Sequence, residues 1–151
     1  MRLSKKTEYA LWALIYAAQH PEGTTFQIKE LAERNRIPKK FLELILLELK
    51  NAGIVESRRG VGGGYLLARR PETIRSLEII EAIEGPVAPA KARKGRGIKT
   101  PGKDSSSAVS RLVRETSEAI ESVLDRFTLA DLAREEQEAA ERRQRNVTYF
   151  I

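Results

Sequence analysis

Cysteine is absent from the chain, and histidine occurs once, at His20. The first absence excludes a disulfide framework, a thiolate-held metal or iron–sulfur cluster, and any catalytic or redox-sensing thiol. A lone His20 leaves no ordinary ligand set for a protein-built zinc centre. No nucleophile–base pair is visible, because the carboxylates fall on solvated helix faces, so the chain reads as a non-enzyme with no catalytic residue, no metal site and no cofactor. Long apolar runs are missing too. Each apolar stretch is broken by charge well before bilayer length, and nothing like a secretory signal core precedes Ser4. No membrane association is expected, and the expected location is cytoplasmic. Aromatics make up 6% of the 151 residues against 32% charged. That composition describes one domain with its own core plus an elongated or partner-dependent part.

What is present is positive charge, laid out unevenly. The formal charge is +6, of which residues 1–85 carry +3, residues 86–103 carry +6 with no acid, and residues 104–151 carry −3. A basic front part and a wholly basic connector point to a polyanion partner, nucleic acid first, and the acidic rear part to something else. Lys91, Arg93, Lys94, Arg96, Lys99 and Lys103 read equally well as a solvated loop.

Ser4 is a good helix N-cap, and Thr7, Ala10, Leu11, Leu14, Ile15 and Ala18 follow at helical spacing until His20 and Pro21 end the first helix. Tyr9, Trp12 and Tyr16 widen its apolar face as core or interface packing. His20, beside Pro21 and Gly23, suits the helix dipole and is assigned no chemistry. Ile28, Leu31 and Ala32 mark a short second helix, and residues 34–37 a tight connection. Pro38 starts a third helix that runs to about Ala52 and stops at Gly53. Two helices joined this way form a helix-turn-helix candidate. Leu42, Ile45, Leu46, Leu49 and Ala52 are expected to face the core, while Lys39, Lys40, Glu43 and Lys50 lie on the side a major groove would meet.

Ile54 and Val55 begin a short strand, residues 58–64 make a flexible basic tip, and Tyr65, Leu66 and Leu67 return as a second strand: a wing. The tip glycines do not read as a nucleotide site, since no Lys-Ser/Thr follows them and the next element is a strand. Ser76 is expected to cap a fourth helix carrying Leu77, Ile79, Ile80 and Ile83, closed by Gly85 and Pro86. The connector has no periodicity and reads as loop, with Ser105, Ser106 and Ser107 suited to cap the next helix. Val109, Leu112, Val113, Thr116, Ile120, Val123, Leu124 and Phe127 then form an amphipathic stripe of about five turns at 3.6 residues each. Such a stripe needs a partner surface. The same helix from a second copy supplies one in a two-fold dimer, the symmetry of a palindromic DNA site. Thr128 to Asp131 form a capping-box-like start for a last helix. Residues 134–146 hold only Ala139 and Ala140 as apolar groups, with Glu138–Arg142 and Glu141–Arg145 as i, i+4 pairs, so this part buries little. Tyr149, Phe150 and Ile151 make an apolar tip on a charged arm, which suggests a docking peptide.

The strings Leu3-Ser4, Tyr9-Ala10-Leu11, Phe41-Leu42-Glu43, Ala52-Gly53-Ile54-Val55-Glu56-Ser57, Arg59-Gly60, Gly63-Gly64-Tyr65, Leu67-Ala68-Arg69 and Glu84-Gly85-Pro86 resemble the Rrf-type winged helix-turn-helix regulators, the group of IscR, NsrR and CymR. The likeness is close over residues 1–86 and continues through the long helix to Thr128-Leu129-Ala130-Asp131-Leu132. It implies a mainly α fold with a small β-wing. A winged helix DNA-binding domain would occupy residues 1–86 and a basic flexible linker 87–107. The dimerisation helix and the start of the last helix would occupy 108–133, and a charged C-terminal helical arm with an apolar tip 134–151. Many members hold an iron–sulfur cluster with cysteines between the Glu-Gly-Pro segment and the dimer helix. This chain has none, so it is most similar to cluster-free members that repress cysteine metabolism, sharing Pro89 after Glu84-Gly85-Pro86 and an aromatic pair before a terminal isoleucine. That likeness implies cysteine synthase as a partner, an enzyme that takes C-terminal isoleucines into its active site. Tyr149, Phe150 and Ile151 would then be partner-binding residues, and burial of the Ile151 side chain is worth roughly 1.5–3 kcal/mol.

The resemblance also implies a DNA-binding set. Lys39, Lys40 and Glu43 would meet base edges or nearby phosphates, with Glu43 accepting from cytosine N4. Arg59 would enter the minor groove, with Arg58 and Tyr65 beside it, and Lys5 and Lys6 would sit on phosphates. Leu44 and Leu47 stand where relatives often carry polar groups, so they can touch a thymine methyl but cannot hydrogen-bond, and Pro38 replaces a Ser-type cap. The expected function is a sequence-specific DNA-binding regulator, a repressor, acting as a homodimer on palindromic double-stranded DNA. Two alternatives stay open: an interaction module whose terminal isoleucine occupies a metabolic enzyme, and a regulator sensing a small molecule near the basic connector.

Overall fold

The computed structural model describes residues 3–87 and 108–148. The expectations for Ser105 to Ser107, for the basic connector and for Tyr149, Phe150 and Ile151 lie outside the described residues. In chain order the elements are α1 (Lys5–Ala18), α2 (Ile28–Asn35), α3 (Lys39–Asn51), β1 (Val55–Arg58), β2 (Gly64–Leu67), a single 3-10 turn (Pro71–Thr73), α4 (Ser76–Glu84), α5 (Ala108–Arg126) and α6 (Leu129–Thr148).

Helix α1 starts where the Ser4 hydroxyl accepts from the Thr7 amide at 3.2 Å. It buries Ala10, Ala13, Leu14, Tyr16 and Ala17. Of its three aromatics only Tyr16 belongs to the core. Tyr9 is half-buried, edge-on to Phe41 with ring centres 5.9 Å apart, and Trp12 remains 44% exposed. His20 follows the cap residue Gln19, its Nδ1 lying 2.8 Å from the Tyr16 carbonyl oxygen.

The turn after α2 is tight because Arg36 adopts a left-handed conformation (φ 53°), which lets the Ile37 amide donate to the Ala32 carbonyl at 3.0 Å. Pro38 is not the first residue of α3, as expected, but its cap: its ψ of 125° is extended, and the Phe41 and Leu42 amides reach back to its carbonyl. Leu42, Ile45, Leu46 and Leu49 are fully buried along one face of α3. Ala52, expected to join them, is exposed, because the chain leaves the helix at Asn51 and the 3.6-residue period no longer applies.

Strands β1 and β2 pair antiparallel, with Val55 opposite Leu67 and Arg58 opposite Gly64. Phe26 adds an isolated bridge to Tyr65, donating its amide at 2.7 Å and accepting at 3.0 Å. This bridge explains Gly64, and the hairpin's own close backbone explains Gly63. A Cβ on Gly64 would lie 2.5 Å from the Phe26 carbonyl oxygen, and one on Gly63 would lie 2.5 Å from that of Arg58. The tip itself is tethered rather than free. Thr25 Oγ1 donates to the Gly62 carbonyl at 2.8 Å, and Gln27 Nε2 donates to that of Gly63.

Ser76 does not cap α4 as expected. It is buried, and both its amide (2.9 Å) and its hydroxyl (2.8 Å) donate to the Phe127 carbonyl, while Leu129 donates to Ile74 at 2.8 Å. Arg75 takes the cap position, its amide bound by Glu78 at 3.0 Å. The α5–α6 corner is therefore fastened to the start of α4, and α6 packs back on α1, with fully buried Leu129 in the same core cluster as α1 and α3. The capping box of α6 forms: Asp131 donates its amide to Thr128 Oγ1 at 3.1 Å and accepts from the Thr128 amide at 3.0 Å. Farther along, Arg142 pairs with Glu138 at 3.8 Å, whereas Glu141 accepts from Gln137 at 3.4 Å. Along α5 the stripe residues Val109, Leu112, Val113, Val123 and Phe127 are exposed in the single chain.

Candidate nucleic-acid interface

The core-facing leucines and isoleucine of α3 leave Lys39, Lys40, Glu43, Leu44, Leu47 and Lys50 on the exposed side. Two contacts define the borders of that side. Glu48 Oε1 holds the Lys6 ammonium at 2.6 Å, joining α3 to the start of α1, and Lys50 Nζ donates to Ser57 Oγ at 2.8 Å, joining it to β1. Residues two apart on an α-helix point about 200° away from one another. The exposed face of α3 is consequently flanked by the N-terminus of α1 on one edge and by the hairpin on the other.

The start of α1 is anchored further by Glu84 at the end of α4, which accepts from the Ser4 amide at 3.0 Å and from Thr7 Oγ1 at 2.5 Å. The Ser4 hydroxyl, then Thr7, hold the Glu84 carboxyl below the usual range. Lys5 is largely exposed, and a hydrogen bond with Glu8 at 2.5 Å raises its pKa, so it stays a cation. Lys6, expected on a phosphate, is paired within the chain. With 29% of its side chain exposed and Glu48 at 2.6 Å, its charge is balanced within the protein. The other oxygen of Glu48, Oε2, is buried without a hydrogen-bond partner.

On the hairpin, Arg58 and Arg59 are exposed beside the tethered tip. Tyr65 stands apart from them. It is half-buried, stacks on Phe26 with ring centres 6.3 Å apart, and packs against the core. The structure thus brings Lys39, Lys40, Glu43 and the hairpin arginines to adjoining elements, makes Lys6 a linking residue and Tyr65 a support of the wing. Sequence reasoning missed Glu48, Ser57, Thr25 and Gln27. Nothing in local spacing signals them, since Lys6 and Glu48 are 42 positions apart and Gln27 and Gly63 are 36. A cleft of about 240 Å³ between the end of α1 and the exit of β2 is lined in part by His20, Arg69 and Arg70. Its arginines are already engaged, Arg69 by Glu78 at 2.7 Å and Arg70 by Glu72 at 3.6 Å.

The sequence pattern of Rrf2, described as iron-dependent transcriptional regulators, matches residues 3–135. The chain belongs to the Rrf2 family. The HTH-type transcriptional regulator CymR of Bacillus subtilis is 36% identical over 134 residues, spanning 88% of this chain and 90% of its own length. An IscR of Cereibacter sphaeroides is 35% identical over 138 residues, 90% of this chain and 89% of its own. Among solved structures, CymR, the global cysteine regulator of B. subtilis, matches with a TM-score of 0.70 at 32% identity, covering 88% of this chain and 96% of that one. T. potens IscR matches with a TM-score of 0.72 at 31% identity, covering 92% and 90%. This Rrf2-family member is a helix-turn-helix transcriptional regulator rather than an enzyme. Its α2–α3 pair is the helix-turn-helix and its β1–β2 hairpin the wing. No helix among its described residues is long and apolar enough to cross a membrane.

Proposed function

We propose that two copies of this regulator join through α5 and bind a palindromic duplex as a repressor. Helix α3 lies in the major groove with Lys39, Lys40 and Glu43 at base edges and phosphates, Arg58 and Arg59 reach the minor groove from the wing, and Lys5 meets a phosphate. The observation that carries this reading is the bordered face of α3, held between Lys6–Glu48 and Lys50–Ser57 with its cations exposed. Exposure of Val109, Leu112, Val113, Val123 and Phe127 in the single chain supports the dimer.

A salt series of duplex-binding isotherms tests it. Lys39→Ala lowers the slope of log K against log salt by about 1.8, the value of two phosphate contacts, one from each copy, whereas Lys6→Ala leaves the slope in place because Glu48 already balances that charge. Arg59→Ala weakens binding by about 1–3 kcal/mol, and an unchanged Kd would refute its role.

The absence of cysteine supports regulation without an iron–sulfur cluster. Likeness to CymR supports a regulon in cysteine or sulfur metabolism, with cysteine synthase engaged through Tyr149, Phe150 and Ile151. Isothermal titration of cysteine synthase with a peptide ending in those residues, and with the same peptide lacking Ile151, decides this finer reading. Equal heats would end it.

A further inference from the structure

The middle of the exposed face of α3 is apolar. Leu44 is 56% exposed and Leu47 50% exposed, although the four core-facing residues of the same helix are fully buried. At 100° per residue, Leu44 and Leu47 bracket the direction opposite the Leu42–Ile45–Leu46–Leu49 stripe, with Lys40 one turn before Leu44 and Asn51 one turn after Leu47. They therefore form the apolar centre of whatever surface α3 presents, between Lys40 and Asn51.

We infer that Leu44 and Leu47 read the C5-methyl groups of thymines on adjacent base pairs of the major groove. The inference rests on the DNA-binding reading above and adds a base preference to it. The surroundings decide the occupant. A protein-docking surface calls for a contiguous apolar patch of several hundred square ångströms, whereas here two leucines stand in a polar frame of Lys40, Glu43, Lys50, Asn51 and the Lys6-paired Glu48, with the hairpin arginines on the adjoining element. Within a polyanionic groove the thymine methyl is the one apolar group on the base edges. Spacing agrees. Three residues advance about 4.5 Å along an α-helix, nearer to one base-pair step of about 3.4 Å than to two. Leucine also rejects the alternatives, because the amino group of cytosine or the acceptors of guanine would be desolvated against it without a hydrogen bond.

The test uses the full chain and a duplex enriched by it from a random-sequence library. Each thymine of the enriched half-site is replaced in turn by deoxyuridine, which deletes only the methyl, and affinity is read by fluorescence anisotropy at constant salt. At one or two adjacent positions the loss is about fourfold for each methyl withdrawn from contact. Leu44→Ala and Leu47→Ala, both at exposed positions, each become indifferent to deoxyuridine at one of those positions. An enriched duplex that binds the unmodified protein equally well with every thymine replaced would overturn the inference while leaving the DNA-binding reading intact. A Leu44→Ala/Leu47→Ala protein that changes its sedimentation mass but keeps the full response to deoxyuridine would overturn it in favour of a protein contact. A library from which nothing is enriched would defeat the DNA-binding reading itself, and this inference with it.

Discussion

Leu112 lies on the α5 stripe with 65% of its surface exposed in the single chain. Truncation to alanine removes three carbons, worth about 2.4 kcal/mol if all their surface were lost to water, or about 1.6 kcal/mol when scaled by the exposed fraction. In a two-fold interface each substitution counts twice. Leu112→Ala is thus expected to weaken the dimer by about 3 kcal/mol, a rise of roughly 150-fold in its dissociation constant. Sedimentation equilibrium over a wide concentration range measures this directly, and circular dichroism checks that the protomer keeps its helices. Arg111, on the opposite side of α5 and paired with Glu115 at 3.6 Å, provides the control. Arg111→Ala should alter the dissociation constant by less than about 0.5 kcal/mol. A dissociation constant indifferent to Leu112→Ala, or a wild-type chain that sediments as a single copy throughout, would refute the assignment of this stripe to self-association.

Leu129→Ala, at a fully buried position on α6, is expected to destabilise the folded chain by about 2–5 kcal/mol in chemical denaturation, since its side chain fills the core shared with α1 and α3. Gly64→Ala should disorder the wing, because its Cβ would meet the Phe26 carbonyl oxygen at 2.5 Å; DNA affinity should then fall at least as far as in Arg59→Ala, with the Tyr65 amide losing its protection from hydrogen exchange. The Thr128 hydroxyl, then the Thr128 amide, hold Asp131 down to about 2 from an ordinary 3.8. A carboxyl with a depressed folded pKa stabilises fully above its unfolded value and loses that contribution as pH falls toward the folded one. The gap in melting temperature between wild type and Asp131→Asn should accordingly be complete above about pH 4 and shrink toward pH 2, and a gap constant over that range would contradict the cap.

Much of the local order is legible in the residues themselves. The Ser4 cap, the helical spacing of Leu42, Ile45, Leu46 and Leu49, the Gly53 stop, the hairpin, and the Thr128–Asp131 box depend on interactions that span a few positions, so a linear pattern carries them. The same reasoning went astray at Pro38, Ala52 and Ser76. Pro38 was given the first helical position that proline favours, yet it takes the cap one residue earlier, and at Ala52 the period was extended one residue past the helix end. Ser76 looked like a cap, yet its amide and hydroxyl are claimed by the Phe127 carbonyl, 51 positions away.

Amino-acid order alone placed the body of most helices and the hairpin, because short-range periodicity needs no partner to be read. Only the folded arrangement decided which charges are spent inside the protein and which remain for a ligand. Lys5 and Lys6 are neighbours of identical type, and one is exposed beside Glu8 while the other is held by Glu48 from a different helix. That difference is fixed by distances between elements far apart in the chain, and a charge is neutralised by what lies a few ångströms away in space rather than by what adjoins it in sequence.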